Sequence, residues 1–330
     1  MVIYAGEFID PSEIKACIRH ILSGQRSDGL IPDRVRTDGK PVYSPGSEAH
    51  PLADHALDNG SFAALCLCAY VERTGDFLFF KSCEPLVRKG LDHIRFSRFG
   101  LVYNPPQSPQ CPYGFTDTVA KTGHVLFCSL LYFQACSQMA KLCARVGCGR
   151  KDVYQKRADR IREALSLLWD SKVGMFYAAE KDCRQIDIWG SAFAAYLGVV
   201  SSLQKRRISR YLVSNYDRLV QKGQVRHLPA GQFWQRLLVP VAPGTYQNGA
   251  FWATPVAWIA PVMAVEDPER AKRMIREAIE DFRRRGVYEC INDAAPGNLG
   301  KVRVKDYAVS ATNVYGAYKE LKHSMEEKVE

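Results

Sequence analysis

Two carboxyl-bearing segments of this sequence have surroundings suited to acid–base chemistry. In Cys111-Pro112-Tyr113-Gly114-Phe115-Thr116-Asp117-Thr118-Val119-Ala120-Lys121, Asp117 follows two aromatic residues and stands near a lysine. The plain reading makes Asp117 the N-cap of a helix, satisfying free backbone N–H groups. Apolar walls offer more than a cap needs, because they disfavour the charged form and let a carboxyl hold its proton as a general acid. In Gly286-Val287-Tyr288-Glu289-Cys290-Ile291-Asn292-Asp293, Glu289 leaves the basic run Arg283 to Arg285. Alone it reads as half of a surface ion pair. With a second carboxyl from another long loop it completes what cleavage of a glycosidic bond requires, an acid for the leaving oxygen and a base for water.

A third segment, Gly244 to Trp258, sets Gln247 and Asn248 beside Trp252. Aromatic faces suit the C–H face of a pyranose, and each amide offers donors and an acceptor for its hydroxyls. Trp252 could equally fill a helix core, and Trp258 is assigned to the core. Asp58 and Asn59, Asp187 and Trp189, and Asp28 all stand where helices or turns begin. Capping explains each one, and their recurrence suggests polar groups around a common centre. The expected site is therefore Asp117 and Glu289, with Asp58, Asn59, Lys121, Asp187, Trp189, Gln247, Asn248 and Trp252 around the substrate. His20, His93, His124 and His227 have no metal-ligand spacing and are read as structural or surface residues, so no metal and no cofactor is expected.

Elements that could position these residues are helices. Apolar residues recur with helical period over Pro11 to Ser23, Asp58 to Thr74, Phe77 to Ile94, Thr118 to Val146, Val153 to Trp169, Ile188 to Val200, Lys205 to Leu219, Ala253 to Val265, Pro268 to Arg285 and Asp306 to Leu321. That is about ten helices with almost no strand, an all-α chain. Asp10-Pro11 and Asp267-Pro268 pair a cap with a first-turn proline. Short and long loops alternate along the helices, which describes hairpins with the elaborate loops at one end. No linker or low-complexity stretch divides the 330 residues, so a single domain, 1–330, is expected.

Composition narrows the function classes. With 47% hydrophobic and 24% charged residues the chain is globular. No apolar run reaches the roughly 20 residues of a membrane span, and no signal peptide is recognisable at the start. The formal charge of +10 is scattered in short clusters such as Lys205 to Arg207 without a nucleic-acid motif. Eleven cysteines lie mostly in apolar segments (Cys66, Cys68, Cys128, Cys136, Cys143), so buried free thiols and a cytoplasmic setting are expected.

Six pieces together resemble the six-hairpin glycosidases: SDGLIPDRV (27–35), LDNGSFAALCLCAYVERTGD (57–76), YGFTDTVAKTG (113–123), DIWGSAFAAYLG (187–198), YQNGAFWATPVAW (246–258) and YECIND (288–293). The resemblance implies an (α/α)6 toroid. From relatives such as trehalases, processing alpha-glucosidases and glycogen-debranching catalytic domains it implies inverting hydrolysis, with Asp117 as acid and Glu289 as base. YGFTDT lacks the Trp or Arg common around the acid in those relatives. Ten helices against twelve, and a start at Met1-Val2-Ile3-Tyr4 as if part-way through a hairpin, raise the alternative of a toroid lacking its first hairpin. Such a toroid would self-associate, and in an inactive form would only bind carbohydrate or protein. A lyase or phosphorylase on the same fold is a third reading. The partner expected is a carbohydrate, with neither nucleic acid nor membrane.

Overall fold

The computed structural model describes residues 1–293 and 302–326; residues 294–301, inside the expected 286–305 loop, lie outside the description. Its helices are α1 (Val2–Ala5), α2 (Pro11–Ser23), α3 (Asn59–Thr74), α4 (Phe77–His93), α5 (Leu126–Val146), α6 (Lys151–Ala164), α7 (Ile188–Tyr196), α8 (Ser202–Ser214), α9 (Tyr216–Leu219), α10 (Val256–Met263), α11 (Pro268–Arg285) and α12 (Ala308–Glu326). Setting aside the one-turn α1 and α9, these are the ten helices read from periodicity. Local chemistry sets their ends. Asp10, Asp76 and Asp267 each accept a hydrogen bond from a first-turn N–H (Ser12, Phe79 and Arg270, at 2.7, 3.0 and 2.9 Å), and Ser201 with Gln204 closes a capping box. Gly75 and Gly147, at φ of +70° and +67°, end α3 and α5 in the left-handed conformation that only glycine adopts without cost.

Sequence pattern separates two layers. In α5, Leu126 to Phe133 are buried without interruption, so that part is covered on every side. In α6 the buried residues are Tyr154, Ala158, Ile161 and Ala164, and in α11 they include Ala271, Met274, Ile275 and Ala278, single stripes with a charged opposite face. Accordingly α3, α5, α7, α10 and α12 pack one against the next as an inner ring, while α2, α4, α6, α8 and α11 back it from outside. The ring closes through α1, which touches both α12 and α3. Its sixth inner position thus holds a single helical turn. Beside it, between α1, α2 and α3, lies an apolar groove of about 480 Å³ that includes Ile14, Ile18, Phe62 and Cys66.

Connectivity then gathers the long loops. Each inner helix passes to the following outer one through two to five residues, and each outer helix returns to the next inner one through 22 to 41. All five long connections therefore meet at the end of the ring where the inner helices begin. They also hold a feature that helical periodicity hides, a five-stranded antiparallel sheet in the order 302–305, 288–291, 251–252, 224–225, 220–221.

Three expectations need correction. The helix expected from Thr118 starts at Leu126, because Gly123 takes φ +77° and pairs with Asn104, while Val119 and Leu237 form an antiparallel bridge. Asp117 therefore caps no helix; it follows the 3-10 turn Gly114–Thr116. Cys143 is not a free thiol, being joined to Cys148 across the end of α5. The other nine cysteines are free and mostly buried. No described helix is long and apolar enough to cross a membrane.

Candidate active site

Asp117 sits in the loop before α5, and its position is determined by a buried amide. Gln247 Oε1 accepts from the Thr118 N–H at 2.9 Å and from the Thr118 hydroxyl at 2.6 Å. A backbone N–H can only donate, so the amide has one orientation, and Nε2 must face Asp117 Oδ1, which it meets at 2.7 Å. Burial is the main cause that lifts the Asp117 carboxyl to about 6, with the Asp33 charge adding to it and the Gln247 hydrogen bond opposing it.

Glu289 comes from the other side of the ring end, on the strand Tyr288–Ile291, and is 7% exposed. Desolvation raises its carboxyl to about 7, Arg303 opposes the shift, and the Asp117 charge adds to it. The charges of Asp117 and Glu289 also both push up the Tyr246 and Tyr307 hydroxyls, behind the larger effect of burial. Four groups from three separate loops thus share one electrostatic neighbourhood.

Asp58 and Asp187 occupy the N-termini of α3 and α7. Asp58 is buried and accepts from the Gly114 N–H at 2.9 Å, tying α3 to the Asp117 loop, and desolvation lifts it to about 7. Asp187 caps α7 through the Gly190 N–H at 2.8 Å and lies 3.9 Å from Lys121 Nζ. That lysine is buried over the Trp234 ring, 4.4 Å from its centroid, and donates to Thr116 Oγ1 at 3.2 Å. Burial lowers the Lys121 ammonium and raises the Asp187 carboxyl, in both cases against the partner's charge. Asn248 Oδ1 accepts from the Trp234 backbone N–H (2.8 Å), and its NH2 donates to the Val241 carbonyl (2.9 Å). Asn59, half-buried, donates to the Ile31 carbonyl at 3.3 Å.

Trp189 and Trp252 are buried, with His227 stacked on Trp189 at 3.5 Å between ring centroids. Burial, reinforced by the Lys121 charge, drives the His227 imidazole well below its usual range, so it packs as a neutral ring. Trp258 lies in the core as expected, its Nε1 donating to the Trp189 carbonyl at 3.1 Å. Asp28 stays out of the group, half-exposed and ion-paired with Arg26 at 2.7 Å. Asp33, five residues on, is the carboxyl that reaches the group, its charge raising both Asp117 and Asp58. Asp33, Tyr246, Arg303 and Tyr307 are the residues that the sequence reading passed over. The first two lie inside segments that carried the family resemblance; Arg303 and Tyr307 carry no local signal. Among the described residues no three His, Cys, Asp or Glu side chains converge as metal ligands would.

No family model and no curated protein matches the sequence. Solved structures do. A GH63 mannosylglycerate hydrolase from Thermus thermophilus in complex with glucose superposes with a TM-score of 0.68 at 14% identity, over 96% of this chain and 91% of that one. A rhamnosidase from Klebsiella oxytoca with rhamnose bound gives 0.67 at 15%, over 96% of this chain and 55% of that one. An uncharacterized conserved protein from Thermus thermophilus gives 0.66 at 14%, over 96% and 90%. At such identities the likeness concerns the fold, and the fold of this chain is the six-hairpin glycosidase-like (α/α) toroid.

Proposed function

We propose that the protein is a glycoside hydrolase of inverting type, with Asp117 as general acid and Glu289 as general base. One observation carries the reading: two buried, raised carboxyl groups from opposite loops share a neighbourhood in which the Asp117 charge reaches Glu289, one held by a neutral amide and the other by a cation. Gln247 engages Asp117 Oδ1 and leaves Oδ2 to carry the proton. Arg303 beside Glu289 favours its carboxylate, which suits the base role, whereas the amide beside Asp117 brings no charge.

In this mechanism Asp117 gives its proton to the glycosidic oxygen as the bond to the anomeric carbon breaks. Glu289 takes a proton from the water that attacks that carbon on the opposite face, and the product has inverted configuration. Solvent then returns a proton to Asp117 and removes the one on Glu289. Such a water requires carboxyl groups about 6.5–9.5 Å apart. The sugar is a hexopyranose, in keeping with the glucose and rhamnose of the similar structures. In this role Gln247, Asn248, Lys121, Asp187, Asp58, Trp189 and Trp252 shape and hold the loops that meet it, and Asn59 stands at its edge.

The test is a screen of hexopyranosides with proton NMR detection of the first-formed anomer, on the parent protein, Asp117→Asn and Glu289→Gln. Inverted product, and loss of roughly a thousandfold or more in kcat in each variant with sugar binding retained, is the expected result. Retained configuration or full activity in either variant rejects the assignment. Sugar binding without any turnover in the parent would leave a carbohydrate-binding toroid.

A further inference from the structure

Arg303 stands on the outermost strand of the small sheet, paired with Cys290 across the ladder. Its Nε lies 3.4 Å from Glu289 Oε2, and its Cζ lies 3.9 Å above the centroid of Tyr246. Tyr246 is itself firmly placed, its N–H donating to Asn292 Oδ1 at 3.2 Å and its carbonyl accepting from Trp252 Nε1 at 3.2 Å. A guanidinium stacked on a fixed ring loses less freedom in holding a carboxylate than a free surface arginine does. Glu289 Oε2 is buried, and among the described residues no protein donor forms a close hydrogen bond with it, so the Arg303 ion pair is its principal partner.

We infer that Arg303 is the positioning residue of the proposed base: it covers Glu289 Oε2, keeps the carboxylate ionised, and leaves Oε1 to receive the proton of water. The inference rests on the function proposed above. It mirrors the other half of the site, where Gln247 engages one oxygen of Asp117 and leaves the other to react. Among the described residues, the other titratable groups that face Glu289 work against its charge or are neutral: Asp117 from the loop before α5, Tyr246 from the loop before α10, Tyr307 just before α12, and Cys290 on its own strand. Without Arg303 none of these groups stabilises a Glu289 carboxylate. Non-glycine backbone at positive φ follows directly, at Val304 (+45°) and Asp306 (+59°), a conformation that β-branched valine rarely adopts and that is commonly held only where a side chain must be aimed.

The experiment uses the full chain with Arg303→Gln and Arg303→Lys. Carboxyl carbon NMR follows the titration of Glu289, whose signal is identified by its loss in Glu289→Gln. The midpoint should rise in Arg303→Gln and return most of the way in Arg303→Lys. On any glycoside that the parent hydrolyses, kcat/KM of Arg303→Gln relative to the parent should be roughly three- to tenfold lower at about pH 6, with the ratio returning towards one by about pH 9, since Arg303 is half-exposed and partly screened. An unmoved Glu289 midpoint overturns the inference, and so does an equal loss of activity at every pH. If the parent hydrolyses no glycoside, the titration alone decides the role of Arg303, and the proposed function fails separately.

Discussion

The residue that most clearly sets stability against chemistry is Asp58. Its carboxyl is buried beneath the Asp117 loop, and desolvation raises it to about 7, well above the value of about 4 in an unfolded chain. A raised pKa means that the native state binds this proton more tightly than the unfolded state does. The resulting stability is therefore fully present below about pH 4 and is lost as pH rises through about 7. Asp117 and Glu289, raised to about 6 and about 7, add slopes of the same sign in the same window. Asp58→Asn keeps an oxygen for the Gly114 N–H and removes the buried charge. Thermal melts should find the variant more stable than the parent by about 1–3 kcal/mol at about pH 8, with the difference vanishing around pH 4. A variant less stable at the alkaline end would show that the Asp58 carboxylate is satisfied by partners beyond Gly114.

Among the elements, inner and outer helices carry unequal weight. Leu130 on α5 is fully buried between the layers, whereas Leu203 on α8 is 62% exposed. Removing a buried leucine costs its transfer energy plus that of the cavity left behind. Leu130→Ala should lose about 2–5 kcal/mol in urea unfolding, and Leu203→Ala should change stability by less than about 0.5 kcal/mol. Equal losses would contradict the two-layer arrangement. The loop elements follow a different logic, since their order comes from bonds between distant segments. Gln247 is 130 residues from the aspartate it holds, and no local propensity would reveal that pairing.

For the whole molecule, the ring's uneven sixth position has a measurable consequence. Five inner positions hold helices of 8 to 21 residues, and the remaining one holds the four-residue α1 beside an apolar groove. Exposed apolar surface tends to be covered by a neighbouring segment or a partner, so the groove is where the self-association expected from the sequence is to be tested. Sedimentation velocity over roughly a hundredfold range of concentration should show a rising average mass, reduced by Ile21→Glu at the partly exposed edge of the groove. A monomer throughout that range would remove self-association from the account.

Periodicity and capping chemistry made ten helices and the alternation of loop lengths legible, because these depend on residues within a turn or two of each other. The Asp10-Pro11 and Asp267-Pro268 starts were readable to the residue for the same reason. Asp117 and Glu289 stood out through their company of aromatics and long loops, and the six-segment resemblance pointed the same way. What lay beyond sequence was every relation made through space. Helical period ran on through Thr118 to Val125, where a bridge to Leu237 and a turn at Gly123 take the backbone away. The five-stranded sheet joins strands of two to four residues from three separate stretches of chain, too short for any alternating pattern to register. Asp33 rather than Asp28 reaches the carboxyl group, and Arg303 reaches Glu289, because sheet pairing and ring closure bring them there. Local composition sets which residues can do chemistry, and only the closed ring decides which of them meet, since the energy that joins them comes from long-range burial and hydrogen bonds that no neighbour in sequence supplies.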